Sequence, residues 1–250
     1  MSSWHNKKEK TMEAKQYEIA GLKVLMTATE PRTVTQSAAY LKPFSGEPDI
    51  VIAPDPEKMR EAWKSFPELS FDEMEYMVTA ALFYRRFLPF GGMLLHSSCV
   101  VTGGKAYLFS APSGTGKSTH TALWMRYLGK EADILNDDKP AIRLENGELF
   151  AYGTPWSGKT DQNINARYPI GGIAFIERSK SPFIKPMDTA CALRNLYWQT
   201  VKPRDEENLD RVFALCEAII KQVPIWQFGC DISEESFRLS FETMTAGKGE

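Results

Sequence analysis

The sequence has few cysteines, few histidines and little net charge. Its 250 residues include four cysteines and three histidines, and the formal net charge is −2 at pH 7. The cysteines are scattered with no Cys-x-x-Cys spacing, which argues against a zinc site or a disulfide framework and predicts reduced, mostly buried thiols. A near-neutral chain lacks the basic surface that binds nucleic acids, so we expect no nucleic-acid partner.

Long apolar runs and low-complexity segments are also missing. No run approaches the roughly eighteen apolar residues of a membrane-spanning helix, and the polar residues 1–10 contain no apolar core of a signal peptide. We therefore expect a cytoplasmic protein with no membrane partner. The content of hydrophobic residues, 43%, and of charged residues, 25%, is ordinary for a globular protein.

The sequence does contain a phosphate-binding loop. The pattern for such a loop is a glycine or small residue, four free positions, and then Gly-Lys-Ser/Thr. Residues 111–118 match it, with Ala111 in place of the first glycine. The residues predicted to bind a nucleotide are Ser113, Gly114, Thr115, Gly116, Lys117, Ser118 and Thr119.

The residue types of this loop suit a nucleotide. Glycines let backbone N–H groups turn inward, so that the loop forms an anion nest at a helix N-terminus. Lys117 would reach the β- and γ-phosphates, and the Ser118 hydroxyl would ligate Mg²⁺. An apolar run at 106–109 precedes the loop and a helical pattern at 119–128 follows it, which is the strand–loop–helix context that the motif requires.

Composition and periodicity divide the chain into three stretches. Residues 1–12 are predicted to be a flexible tail, residues 13–90 an α+β segment packed on the core, and residues 91–250 the core itself. One continuous domain remains an alternative. The elements predicted before the core are two short strands or one bent strand at 17–26, a strand at 49–53, and a helix at 71–90 with Ser70 as N-cap.

Turn signals in the core predict a mixed sheet. Gly103-Gly104 and Asn146-Gly147 are hairpin signals that make antiparallel neighbours, while the strand–loop–helix unit around Lys117 is a crossover element. The expected fold class is therefore α/β with a mixed sheet, preceded by a β-leaning segment. The predicted core strands are 93–101, 105–110, 133–138, 141–144, 148–152, 172–176 and 225–228, and the predicted core helices after the loop helix are 189–201, 209–223 and 233–244.

Paired carboxylates and a histidine accompany the loop. Asp137-Asp138 end a short apolar run that lies twenty residues after Lys117, and His96 comes fifteen residues before Ala111. The chain contains no Leu-Ser-Gly-Gly-Gln transporter signature and no Asn-Lys-x-Asp guanine-reading motif. The loop alone does not identify the reaction, so these accompanying residues narrow the choice.

With His96, the loop and the Asp pair in this order, residues 93–150 resemble the HPr kinase/phosphorylase and phosphoenolpyruvate carboxykinase superfamily. The resemblance implies a phosphate-loop kinase core with ATP and Mg²⁺ as cofactors. It implies that Asp137 accepts the proton of an acceptor hydroxyl, that Asp138 and Ser118 bind the metal, and that His96 supports the basic aspartate. The implied catalytic residues are His96, Lys117, Asp137 and Asp138.

The resemblance also limits the acceptor. The second signature of HPr kinases is not recognisable within residues 149–159, so the expected acceptor is a hydroxyl of a small metabolite or a serine of a peptide or protein. Analogy to the family is compatible with a homo-oligomer. The alternative class is a nucleotide-binding regulatory or assembly module, in which ATP orders a partner surface without phosphoryl transfer.

A polar loop at 153–167 is the predicted acceptor site, because loops of this length in compact domains are usually functional or disordered. A merely solvated loop remains the alternative. We expect the loop to be a rim or lid of one cleft formed by the phosphate loop, the Asp pair and His96. Its candidate donors, which suit a carboxylate or phosphate, are Lys159, Asn163 and Arg167, together with Thr154 and Asn165. Arg178 and Arg194 are further cationic candidates, for which an ordinary surface role is the favoured expectation.

Overall fold

A computed structural model describes residues 13–246 of the chain. The flexible tail predicted for residues 1–12 lies outside the described residues. The chain divides into two compact units after Leu82. The packing of residues 13–90 on the rest of the chain stays a prediction.

The first unit is built from short strands and helices. In chain order these are β1 (Lys15–Ile19), β2 (Leu22–Met26), α1 (Pro31–Ser37), β3 (Ile50–Ile52), α2 (Pro56–Trp63) and α3 (Phe71–Phe87), with a 3-10 helix at Ala38–Tyr40. Strands β1 and β2 are antiparallel, and β3 lies parallel to β2. The turn between β1 and β2 is at Ala20-Gly21, where φ is 51° and 74°, so this region forms two short strands rather than one bent strand.

Helix α3 begins with a reciprocal cap and crosses the boundary between the units. The Ser70 hydroxyl accepts from the Glu73 N–H at 3.1 Å, and the Glu73 carboxylate accepts from the Ser70 N–H at 2.8 Å. This capping box confirms Ser70 as the N-cap. The helix ends at Phe87 rather than at residue 90, because a 3-10 helix at Leu88–Phe90 and Gly91 with φ of 70° follow it.

The second unit holds the phosphate loop. Its elements are β4 (Gly92–Leu94), β5 (Ser97–Thr102), β6 (Lys105–Ser110), α4 (Lys117–Leu128), β7 (Ala132–Asp138), β8 (Ala141–Glu145), β9 (Glu148–Tyr152), β10 (Arg167–Arg178), β11 (Phe183–Pro186), α5 (Thr189–Trp198), α6 (Glu206–Gln222), β12 (Ile225–Cys230) and α7 (Glu234–Thr245), with a 3-10 helix at Gly129–Glu131.

Within residues 13–246, nine strands of the second unit join into one sheet. The order along the main path is β4-β8-β9-β10-β6-β5-β7, and β12 pairs with both β10 and β11. Strand β10 is parallel to β6 and to β12, and the other pairs are antiparallel. The turns at Gly103-Gly104 and Asn146-Gly147 join antiparallel neighbours, as predicted. The α/β class with a mixed sheet is confirmed.

Two predicted strands differ from the structure by more than two residues. The stretch predicted as one strand at 93–101 is two strands, because β4 pairs with β8 whereas β5 pairs with β6 and β7. His96 lies in the link between β4 and β5. The strand predicted at 172–176 is the middle of β10, which extends from Arg167 to Arg178.

Helices cover both faces of the sheet. Successive side chains of a strand point to opposite faces, so neighbouring residues of β6 enter different clusters. Leu108 packs with Leu196 of α5 and Ile219 of α6, while Phe109 packs with Trp124 of α4. Burial on both faces explains the continuous apolar runs of these strands. Among the helices that the structure describes, none is both long and apolar enough to cross a bilayer.

One edge of the sheet collects the strand ends that matter for function. Strands β6, β10 and β12 are parallel and end at the same edge. Strand β7 is antiparallel to β5, which is antiparallel to β6, so β7 ends there as well. Ligands of open α/β sheets bind outside the carboxyl ends of such strands.

Candidate active site

The phosphate loop connects β6 to α4. Gly114 and Gly116 have φ of 78° and 126°, a range that favours glycine because a Cβ would be strained there. Gly116 is the N-cap of α4 and Lys117 is its first residue, so the loop ends at a helix N-terminus, where anions bind. Lys117 is only 8% exposed, and its Nζ donates to the Ala111 carbonyl at 3.0 Å.

Ser118 and Asp137 meet beside the loop. The Ser118 hydroxyl donates to Asp137 Oδ1 at 2.9 Å, which joins the first turn of α4 to the end of β7. A hydroxyl and a carboxylate are hard oxygen ligands that suit Mg²⁺, which usually completes its shell with substrate phosphates and waters. Within residues 13–246, no three His, Cys, Asp or Glu side chains come together as a metal site. A Mg²⁺ ion on these two residues would take its other ligands from a nucleotide and water.

Asp138, the last residue of β7, contacts two basic side chains. Its Oδ1 lies 3.0 Å from His96 Nε2, and its Oδ2 accepts from Lys139 Nζ. Burial alone would raise the pKa of Asp138, but the hydrogen bonds and charges of His96 and Lys139 prevail and lower it to about 2. The backbone of Asp138 has φ of 136°, a strained conformation of the kind found at functional sites.

Gln199 holds His96 in place. The His96 Nδ1 lies 3.0 Å from Gln199 Oε1, and the His96 N–H donates to the Gln199 carbonyl at 2.8 Å. Gln199 follows the last residue of α5, so this helix fixes the ring that faces Asp138. Sequence reasoning missed Gln199. No local signal marks it, because it lies 103 residues from His96 along the chain.

The two aspartates contact different partners. The resemblance implied that His96 supports Asp137, but the structure shows that His96 contacts Asp138 and that Asp137 contacts Ser118. The reason is the alternation of side chains along a strand, which directs consecutive residues to opposite faces. Asp137 is thus the carboxylate next to the Ser118 hydroxyl, and Asp138 is the carboxylate next to His96.

Buried polar side chains fix the turn that follows β7. Asn136 Nδ2 donates to the Thr154 carbonyl at 2.9 Å, and Asn136 Oδ1 accepts from the Lys139 N–H at 2.8 Å. The Thr154 hydroxyl donates to the Lys139 carbonyl at 2.8 Å, and the Tyr84 hydroxyl donates to the same carbonyl. Thr154 is fully buried. The prediction that Thr154 donates a hydrogen bond to the substrate that accepts the phosphoryl group is therefore wrong, because its hydroxyl already belongs to this network.

The loop at 153–167 folds against β7. The Asp137 N–H donates to the Gln162 carbonyl at 3.1 Å, and the Ile164 N–H donates to the Leu135 carbonyl at 3.1 Å. Gly158 packs on Asp138 so closely that a Cβ at this position would lie 2.7 Å from the Asp138 Cβ. The loop is therefore a wall of the site along β7, and its role as a mobile lid stays a prediction.

The remaining candidates of this loop are placed differently from one another. Lys159 is exposed and follows Gly158 directly, so it lies next to the Asp138 side of the site. Asn163 is half-buried and donates to the Ser157 hydroxyl at 2.9 Å. Asn165 is exposed. Acceptor binding by Lys159 and Asn163 stays a prediction.

The two arginines at the ends of β10 lie in places opposite to those expected. Arg167, predicted at the site, is away from it, and Arg178, expected on the surface, contacts the phosphate loop. Arg167 forms an ion pair with Glu145 and stacks over Phe150. Arg178 ends the strand and contacts the phosphate loop, where it donates to the Gly114 carbonyl at 2.7 Å. The two ends of this 12-residue strand lie on the order of 30 Å apart, so the structure does not bring Arg167 into the site.

Arg178 could have been found from the sequence. It lies two residues beyond the strand predicted at 172–176, and the carboxyl ends of parallel strands share one sheet edge. Arg194 contacts the Cys191 sulfur at 3.6 Å on α5 and is exposed, which fits the surface role expected for it.

His96, the phosphate loop and the Asp pair therefore form one site. Ser118 bonds to Asp137, and Asp138 lies next to His96, so a continuous set of contacts joins α4, β7 and the link before β5. The charges also interact. Burial lowers the pKa of Lys117, and the Asp138 and Asp137 carboxylates oppose this shift without cancelling it.

Comparisons with known proteins add little to this geometry. No family model matches the chain, and no curated protein matches it. Among solved structures, the HPr(Ser) kinase/phosphatase from Coxiella burnetii is similar, with 12% sequence identity over 61% of this chain and 88% of that chain, and a TM-score of 0.36. A likeness at this level does not establish a common activity, so the function depends on the geometry of the site.

Proposed function

We propose that this protein is an ATP- and Mg²⁺-dependent kinase that transfers the γ-phosphoryl group to a hydroxyl of a small metabolite or of a peptide or protein serine. The observation that carries the proposal is the pair of contacts at the end of β7. Asp137 bonds to the Ser118 hydroxyl at 2.9 Å, and Asp138 lies 3.0 Å from His96. The order of these residues along the chain, which resembles HPr kinases, also supports it.

The loop and Lys117 bind the phosphates in this proposal. In the described conformation the Lys117 ammonium donates to the Ala111 carbonyl at 3.0 Å, a contact that a triphosphate oxygen would replace with a stronger, charge-assisted hydrogen bond. Loop N–H groups and the helix N-terminus add to the attraction for the anion. Phosphoryl transfer depends mainly on such positioning and charge neutralisation.

Ser118 and Asp137 are the residues that would hold Mg²⁺. When bound, Mg²⁺ neutralises charge on the phosphate oxygens. The Ser118 hydroxyl and the Asp137 carboxylate are hydrogen-bonded to each other. A bound metal would therefore either replace this hydrogen bond or be ligated by both oxygens while it persists. With these two protein ligands, the remaining positions would be taken by phosphate oxygens and water.

Asp138 orients the acceptor hydroxyl, and His96 holds Asp138. In the transfer, the acceptor oxygen forms a bond to the γ-phosphorus while the bond from this phosphorus to the β,γ-bridging oxygen breaks. The hydroxyl proton passes to the Asp138 carboxylate, which can share it with His96. A carboxylate whose pKa is about 2 is a weak base, but a loose transition state needs little proton removal before the phosphorus–oxygen bond forms.

Cations near Asp138 narrow the acceptor class. Lys139 contacts Asp138 directly, and exposed Lys159 follows Gly158, which packs on the same carboxylate. An acceptor that carries a carboxylate or phosphate could bind these ammonium groups and release Asp138 from Lys139. Acceptors of this kind include hydroxy acids, sugar phosphates and serines flanked by acidic residues.

The test uses ATP labelled at the γ-phosphate, Mg²⁺ and a panel of such acceptors. We expect transfer by the wild type, a loss of at least a hundredfold in Asp138→Asn, and ATP affinity within about twofold of the wild type in that variant. Asp133→Asn is the matched control, because Asp133 is an exposed carboxylate on the same strand. Tight ATP binding with no labelled acceptor, and no effect of Asp138→Asn, would support the regulatory or assembly module instead.

A further inference from the structure

The phosphate loop lies in the middle of the sheet edge. Across the sheet the strands follow in the order β12, β10, β6, β5 and β7, and the loop comes after β6. Asp137 and Asp138 lie on one side, at the end of β7. The ends of β10 and β12 lie on the other side, where the proposed transfer uses no residue. A triphosphate held in the middle with its γ-phosphate towards β7 directs its nucleoside towards β10 and β12.

A cavity of about 530 Å³ lies on that side, within the range of small-molecule sites, roughly 300–1000 Å³. Thr115, Gly116 and Thr119, from the loop and the first turn of α4, line one part of it. Residues that end or follow β10 and β12 line the other part, among them Arg178 and Ile232. The cavity therefore borders the phosphate loop, and neither Asp137 nor Asp138 lines it.

Arg178 joins the loop to this cavity. Its guanidinium donates to the Gly114 carbonyl at 2.7 Å and to the Thr115 carbonyl at 3.2 Å. Two bonds to consecutive carbonyls hold the loop in one conformation, because the guanidinium is a planar, rigid donor. The same group places a permanent positive charge where a phosphate chain would leave the loop for the cavity.

His120 lines the cavity and is fixed by buried contacts. The Ser240 hydroxyl donates to the Phe237 carbonyl at 2.9 Å, so its oxygen accepts from Trp124 Nε1 and His120 Nε2, both at 3.0 Å. Burial lowers the pKa of His120 to about 3, so the ring is neutral. Its Nδ1 then carries no proton and has no partner among the described residues. This atom has almost no accessible surface, so His120 forms part of the cavity wall and not a hydrogen-bonding group for a ligand.

Apolar surface and a fixed carboxylate complete the lining. Ile232 is 76% exposed and borders the cavity next to half-buried Cys230. The Asp231 carboxylate accepts from Ser233 and Ser236, and these bonds lower the pKa of Asp231 to about 2. An exposed aliphatic side chain suits the flat face of an aromatic base, and an ionised carboxylate suits ligand N–H or hydroxyl groups.

We propose that this cavity binds the purine nucleoside of the phosphate donor, with the base against Ile232 and its amine or the ribose hydroxyls directed to the Asp231 carboxylate. This inference rests on the proposed function, because the loop must hold the triphosphate for the nucleoside to lie here. The ligand class is a purine nucleoside triphosphate rather than a bare polyphosphate.

The experiment compares ATP with inorganic tripolyphosphate, both with Mg²⁺, by isothermal titration calorimetry on the full chain. The variant is Ile232→Glu, which places a charge on an exposed position and leaves the phosphate loop intact. Met77→Glu is the control, because Met77 is 51% exposed on α3 and does not line the cavity. Thermal unfolding of both variants checks that they are folded.

We expect the wild type to bind ATP at least tenfold more tightly than tripolyphosphate. Ile232→Glu should weaken ATP binding about tenfold, leave tripolyphosphate binding unchanged, and contrast with a neutral Met77→Glu. Equal affinity of the wild type for both ligands, or an equal effect of Ile232→Glu on both, would overturn the nucleoside site while leaving phosphate binding by the loop. Binding of neither ligand by the wild type would overturn the proposed function as well.

Discussion

Gly158 lies so close to Asp138 that adding one methyl group there should disturb the site. A Cβ on Gly158 would lie 2.7 Å from the Asp138 Cβ, 3.0 Å from its Cγ and 3.1 Å from its Oδ2. Carbon atoms do not approach within 2.7 Å without displacement. The Asp138 side chain cannot turn away freely, because His96 and Lys139 hold its two oxygens.

The size of the effect follows from two contributions. Gly158 has φ of 65°, and an alanine in this left-handed region costs about 1–2 kcal/mol. Forcing a methyl group into a packed site costs about 1–3 kcal/mol more. If the protein relaxes by moving Asp138 instead, a shift of about 1 Å can reduce a reaction rate a hundredfold. Gly158→Ala should therefore lower stability, transfer, or both.

Gly147→Ala separates these two contributions. Gly147 has φ of 88°, but a Cβ there meets nothing within 4 Å. Both variants share the backbone strain, and only Gly158→Ala has the contact with Asp138. Urea unfolding and phosphoryl transfer should be measured on both. The reasoning is refuted if Gly158→Ala loses no more unfolding free energy and no more transfer than Gly147→Ala.

Further predictions concern phosphate binding, His96 and acid stability. Lys117→Ala should weaken ATP binding at least a hundredfold by calorimetry, because a buried cation that pairs with the phosphates is lost; unchanged affinity would contradict the role of the loop. Gln199→Leu should lower the transfer rate about tenfold with ATP affinity unchanged, since the variant releases only the His96 ring; equal kinetics would show that Gln199 is not a positioning residue. The lowered pKa of Asp138, about 2 against an ordinary 3.8, stabilises the fold above about pH 4, and this contribution is lost as the pH falls towards 2. Urea unfolding at pH 5 and pH 3 should therefore show a loss about 1 kcal/mol larger in the wild type than in Asp138→Asn, and equal losses would contradict the shift.

Local sequence signals predict correctly the elements whose contacts are between residues close along the chain. The phosphate loop, its helix and the turns at Gly103-Gly104 and Asn146-Gly147 are each specified by neighbouring residues, through glycine φ angles and apolar periodicity. These predictions agree with the structure. The break between β4 and β5 could not be predicted from local signals. It arises because β4 pairs with β8 whereas β5 pairs with β7, and these partners are distant in the sequence.

The partners of the site residues depend on strand direction and on distant segments. Gln199 comes from the end of α5, and nothing near His96 in the sequence points to it. The polar loop points to Arg167, which belongs to it. The direction of β10 instead places Arg178 at the edge with the phosphate loop and Arg167 at the opposite end.

Asp137 and Asp138 contact different residues because of the register of β5 and β7. Asp137 pairs with Ser98 and Asp138 pairs with Ser97. The Ser98 hydroxyl bonds to the Thr121 hydroxyl of α4 at 2.8 Å, so this position of the ladder faces the helix that carries Ser118. The next position must face the other way, towards His96 and Gln199. A shift of β7 by one residue would move either Asp138 to the place opposite Ser98 or Asp137 to the place opposite Ser97, and in both cases the other carboxylate would leave its present partner.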